Sequence, residues 1–108
     1  MATYIKPGVE LPESVAMIVL YTATVDVFQS FGHDCTITSG VDGKHGENSL
    51  HYAGRALDFR TRTVPIGTRP KLAKELRARL GANFDVVEES DHLHVEWDPK
   101  HHADRPIA

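Results

Sequence analysis

A single cysteine, Cys35, stands in a chain of 108 residues. That excludes an internal disulfide framework and any CxxC metal knuckle. No run of about 18 apolar residues occurs, so a transmembrane helix is ruled out. The opening Met-Ala-Thr-Tyr-Ile-Lys-Pro has no basic stretch followed by an apolar one, and no secretory signal peptide is expected. Positive charge is not in excess either. Twelve basic and fifteen acidic residues give a formal charge of −3, which argues against bulk nucleic-acid binding. Aromatic residues are only 7% of the chain, and no aromatic series interleaves with its basic residues. Internal repeats and low-complexity segments are also missing.

The remaining composition is that of an ordinary globular domain, with 41% hydrophobic and 25% charged residues. The length allows one domain, residues 1–108, with a core over about 12–97 and a polar tail at 98–108. One number is out of line: there are seven histidines. Histidine is the commonest metal ligand and titrates near neutral pH. His33, His101 and His102 read as surface residues. His51, His92 and His94 sit in patterned segments.

The pattern predicts an extended lead-in over 1–11 and a helix from Pro12 to Phe31, stopped by Gly32. Its expected buried stripe is Val15, Ile18, Tyr21, Val25 and Phe28. Cys35–Ser39 reads as a strand, and residues 40–52 as a loop long enough to carry function. Residues 55–63 alternate as a second strand, with Ala56, Asp58 and Arg60 on one face and Leu57 and Phe59 on the other. Thr68 is expected to cap a helix running to Leu80, buried along Leu72, Leu76 and Leu80 and ended by Gly81. Strands follow at 84–89 and 92–97, separated by a turn at Ser90-Asp91. The expected fold class is α+β, a small antiparallel sheet with two packed helices.

Charge is unevenly spread. Residues 55–79 hold eight of the twelve basic residues against two acids, and residues 83–104 hold seven acids against one lysine. The basic stretch reads as a solvated helix face laced by i,i+4 pairs such as Glu75–Arg79.

Chemistry concentrates in two segments. In the first, Ser49-Leu50-His51-Tyr52-Ala53-Gly54-Arg55-Ala56-Leu57-Asp58, His51 and Asp58 are seven residues apart. On one helix they would stand about 10 Å apart, too far to share a metal whose ligands lie about 2 Å from it. A loop histidine, a glycine break at Gly54 and an aspartate on the next strand can converge. In the second, His92, His94 and Glu96 share one strand face, and Leu93, Val95 and Trp97 the other. Imidazoles and carboxylates with an open position are the donor set of a catalytic zinc site.

The stretch Ser49-x-His51-x-x-Gly54-x-Ala56-x-Asp58, followed about 35 residues later by His92-x-His94, resembles the M15 family of zinc peptidases. These include D-alanyl-D-alanine carboxypeptidases, L-alanyl-D-glutamate endolysins and murein endopeptidases. The hedgehog signalling domain shares their fold. The resemblance spans roughly residues 35–97. It implies a zinc cofactor held by His51, Asp58 and His94, and a catalytic base at Asp91 or His92. Asp91 is favoured as base and His92 as a hydrogen-bonding helper, with the reverse assignment open. Glu96 is a candidate support for His94. Many members carry a carboxylate-gripping arginine after Ser-Gly. Here Ser39-Gly40 leads to Val41-Asp42-Gly43-Lys44, so Lys44 or Arg60 would take its place, with Ser49 also expected at the substrate.

The function expected from the resemblance is zinc-dependent hydrolysis of amide bonds in peptidoglycan peptides by a monomer. It would be a phage-type lysis enzyme made in the cytoplasm and acting on the wall after release or virion delivery. Neither nucleic acid nor membrane is an expected partner. The alternative is a non-enzymatic zinc-stabilised binding module on the same fold. Other motifs fail: there is no H-E-x-x-H, no phosphate loop and no G-x-S-x-G. Cys35 reads as a small core residue.

Overall fold

The computed structural model describes residues 2–11, 14–40 and 55–99. Its elements are β1 (Thr3–Ile5), α1 (Val15–Ser30), β2 (Cys35–Ser39), β3 (Ala56–Arg60), α2 (Arg69–Leu80), β4 (Phe84–Glu88) and β5 (His92–Trp97). The five strands form one sheet in the order β1-β2-β3-β5-β4. The class is α+β with two helices, as expected. The sheet, however, is mixed and not antiparallel throughout. β1 runs parallel to β2, pairing Thr3, Tyr4 and Ile5 with Cys35, Thr36 and Ile37. Parallel neighbours need a long crossover, and α1 supplies it. All three β1 residues are exposed, so no alternation marks them as a strand.

α1 begins where the Ser14 side chain accepts the Met17 amide at 3.2 Å. The expected start at Pro12 lies outside the described residues. The helix ends before Gly32, whose φ of 84° suits glycine. Its buried face is Met17, Leu20, Thr24, Val27 and Phe28. The expected stripe is therefore corrected: Val15, Ile18 and Tyr21 are exposed, Val25 is half-buried, and only Phe28 is fully buried. The helix is apolar nearly all round, so more than one face satisfies the three-to-four spacing. The sheet selects among them.

α2 buries Leu72, Ala73 and Leu76, with Leu80 half-buried, and ends at Gly81. Thr68 occupies the cap position but makes no side-chain capping bond, because its own backbone is already helical. Pro70 sets the first turn.

Both helices pack on the sheet face that carries Leu57, Phe59, Leu93 and Val95, forming one core. Phe28 meets Phe59 across it, ring centroids 6.3 Å apart. The opposite face is uncovered by either helix. No helix among the described residues is long and apolar enough to cross a membrane.

Candidate functional site

The antiparallel β3–β5 pair sets the site. Asp58 lies opposite His94, Arg60 opposite His92, and Ala56 opposite Glu96. A slip of one residue would turn every one of these side chains into the core. Leu57, Phe59, Leu93 and Val95, each at most 1% exposed, forbid that slip. The apolar alternation thus fixes where the polar groups stand.

His94 is held from both sides. Its Nδ1 lies 3.0 Å from Asp58 Oδ1 and its Nε2 lies 2.8 Å from Glu96 Oε1. The bond to Asp58 is the main reason the His94 pKa lies above its ordinary value; partial burial opposes the rise and Glu96 reinforces it. Metal-free His94 therefore tends to hold a proton between two carboxylates. His92 places Nε2 at 3.9 Å from the same Asp58 oxygen, and its Nδ1 at 2.7 Å from Asp91 Oδ1. That bond holds the Asp91 carboxyl below its usual range. The Asp91 side chain is 73% exposed, whereas Asp58 is 16% exposed.

Two donor atoms of the type that binds zinc, Asp58 Oδ1 and His94 Nδ1, stand together among the described residues. Asp58 Oδ1 and His94 Nδ1 are close enough for both to lie about 2 Å from one ion. Glu96 on the second ring nitrogen is the carboxylate–histidine arrangement that orients a metal-binding imidazole. The structure thus brings together Asp58, His94, His92 and Asp91, and places Glu96 where support for His94 was expected. His51, Lys44 and Ser49 lie outside the described residues. Arg60 is half-buried on the same open face, beside His92 rather than beside His94.

Two groupings escaped the sequence reading. Asp85, Glu96 and Asp98 offer oxygens all within 4.8 Å of one another. Asp85 stands opposite Glu96 in the β4–β5 register, and that pairing is legible only once the sheet order is known. The second is a pocket of about 380 Å³ lined by Lys6, Thr38, Arg60, Arg62, Asp91 and His92. Lys6 arrives there through the unanticipated β1. Cys35 is buried, and burial pushes its thiol up to about 12, as suits a core residue and not a nucleophile.

No protein-family model matches the chain, and no curated protein matches it significantly.

Proposed function

We propose that this chain is a zinc-dependent peptidase that hydrolyses amide bonds in bacterial peptidoglycan stem peptides or crosslinks, on a hedgehog/D-Ala-D-Ala peptidase-like fold. The observation that carries the reading is the Asp58–His94 pair, 3.0 Å apart, with Glu96 on the far nitrogen and the Asp91–His92 pair alongside. Asp58, His94 and His51 would hold the ion. When bound, zinc supplies a water made reactive near neutral pH and an acid that polarises the scissile carbonyl.

The remaining chemistry belongs to the side chains. Glu96 keeps the His94 ring in its ligating orientation. Asp91 accepts from His92 Nδ1, which fixes the tautomer and leaves Nε2 facing the Asp58 side of the site. His92 Nε2 is then placed to take a proton from the attacking water and deliver it to the leaving amine. A carboxylate is ordinarily a weaker base than an imidazole, and the bond to His92 lowers the Asp91 pKa further. These observations favour His92 as the base and Asp91 as the residue that positions it.

The test is mass spectrometry of muropeptides after purified cell walls are treated with zinc-loaded protein. New fragments differing by hydrolysis of one amide support the reading. Walls left intact by protein that binds both zinc and wall would give the non-enzymatic binding module the lead.

A further inference from the structure

The outward side of α1 is apolar, and no described element packs on it. Asp26 is the single charged residue in the 16 of this helix. α1 meets α2, β5 and β2 through its inward face of Met17, Leu20, Thr24, Val27 and Phe28. Its other side exposes Val15 by 78%, Ile18 by 54% and Val19 by 48%. With Thr22 and Asp26 these residues form one stripe, spaced as neighbours on a helix face. A surface helix ordinarily carries polar and charged residues there, and a helix that is apolar all round is ordinarily buried. Beside the stripe lies a hollow of about 680 Å³ lined by Ile18, Val19, Thr22, Ala23, Asp26 and Arg79. Arg79 comes from the last turn of α2 and is already paired with Asp26 and Glu75.

We propose that this stripe is the interface of a homodimer, in which the α1 helices of two copies pack antiparallel about a two-fold axis level with Leu20 and Tyr21. Shape selects a second copy. Val15 and Asp26, Ile18 and Ala23, and Val19 and Thr22 are each centred on that level in the sequence. An antiparallel pair therefore sets Ile18 and Val19 of one copy over the small side chains of Ala23 and Thr22 of the other, and the reverse, as an isologous contact requires. Charge selects it too. The first turn of α1 holds no acidic side chain and its last turn no basic one. The pairing brings Asp26, 66% exposed, beside the N-terminal turn of the other copy, where negative charge is favoured. A lipid surface fits less well, because α1 has no lysine or arginine to meet anionic headgroups. The outward half of a helix about 24 Å long and about 10–12 Å across covers roughly 500 Å² per copy. The total of about 1,000 Å² is near the least that a specific interface needs, so a dissociation constant in the micromolar range is expected. Such a dimer replaces the monomer expected from the resemblance and does not rest on the peptidase reading. Both helices lie on the sheet face opposite the Asp58–His94 pair, so each copy directs that pair away from the contact. Two such faces on one particle would raise avidity for any extended ligand that both can reach.

The experiment is analytical ultracentrifugation of the full chain from micromolar to millimolar concentration, joined to disulfide trapping. The wild type should pass from monomer to dimer across that range. Ile18→Glu should raise the dissociation constant at least about a hundredfold, because a two-fold pair loses the apolar contact twice. Circular dichroism should show this variant folded, since Ile18 lies outside the core. Trapping fixes the orientation, and Cys35 is buried and does not compete. Val19→Cys and Thr22→Cys proteins, mixed and mildly oxidised, should crosslink to each other. Val15→Cys should not crosslink to itself although Val15 is the most exposed of the three apolar residues, because its two copies would stand about 16 Å apart along the helices, beyond the span of about 7 Å that a disulfide bridges. A chain that sediments as a monomer throughout would overturn the proposal. If Ile18→Glu then melts at a lower temperature, the chain covers the stripe itself. If the wild type then floats with phosphatidylglycerol vesicles, the stripe is a lipid contact. A dimer indifferent to Ile18→Glu, or one trapped through Val15→Cys and not through the Val19–Thr22 pair, would overturn it as well, because the contact would lie elsewhere or run parallel.

Discussion

β5 has two faces with opposite fates. Leu93 and Val95 are sealed beneath the helices, while His92, His94 and Glu96 alternate with them on the side that neither helix covers. The apolar side has one geometry to satisfy, close packing. The polar side has to hold atoms of two strands within hydrogen-bonding distance, and it does so because the apolar side has already locked the register. The site therefore inherits its precision from the core. The two faces should also fail differently: damage to one should unfold the chain, and damage to the other should silence a chain that still folds.

The sharpest break is on the polar side. His92→Ala should cut turnover by about 10²–10⁴, the usual worth of a positioned general base, with zinc content unchanged. Asp91→Asn should cost less, because it disturbs the orientation of His92 and not the proton acceptor itself. Wall-turbidity rates with metal analysis of each variant decide this. Equal losses for the two variants would return Asp91 to the role of base.

On the apolar side, Leu93→Ala should cost about 2–5 kcal/mol in denaturant unfolding, the range for deleting a buried leucine side chain. A loss below about 1 kcal/mol would mean that the register is not held there.

A third test joins the two faces through pH. The metal-free His94 pKa is raised, so the stability it contributes is fully present below the unfolded value and is lost as pH rises through the folded one. A zinc ion bound at His94, as proposed, would have to displace that proton. Its affinity should therefore fall about tenfold for each pH unit below the His94 pKa, measured by calorimetry in buffers of different ionisation enthalpy. A flat pH dependence would remove His94 from the ligand set.

The smallest effect is a gain. Thr61 Oγ1 is, among the described residues, the buried side-chain oxygen without a partner. Thr61→Val should raise stability by roughly 1 kcal/mol in the same unfolding assay, since it deletes an unsatisfied hydroxyl at constant shape. A loss of stability would mean that the hydroxyl is satisfied in solution.

Legibility in the sequence follows the same division. The period-two alternation of 55–63 and 92–97 placed Asp58, His92 and His94 on one face correctly, because a half-buried strand leaves no other way to hide Leu57, Phe59, Leu93 and Val95, although the first strand ends at Arg60 and not at Thr63. α1 resisted reading because Val15, Ile18 and Val19 are as apolar as Met17, Leu20 and Val27. Only tertiary contact distinguishes them. β1 resisted because three exposed residues become a strand solely through their bonds to β2. The shared pocket of Lys6 and Arg60, and the pairing of Asp85 with Glu96, join residues far apart in the chain. They required the sheet order, which no local pattern encodes.

The most direct measurement of the central claim is the zinc content of wild-type and Asp58→Ala protein, purified untagged without chelator, with folding checked by circular dichroism. The account predicts about one zinc per wild-type chain, as a three-ligand site holds. It predicts a folded Asp58→Ala variant that retains little or none. A wild-type protein that takes up no zinc, or an Asp58→Ala variant that keeps its full complement, would contradict it.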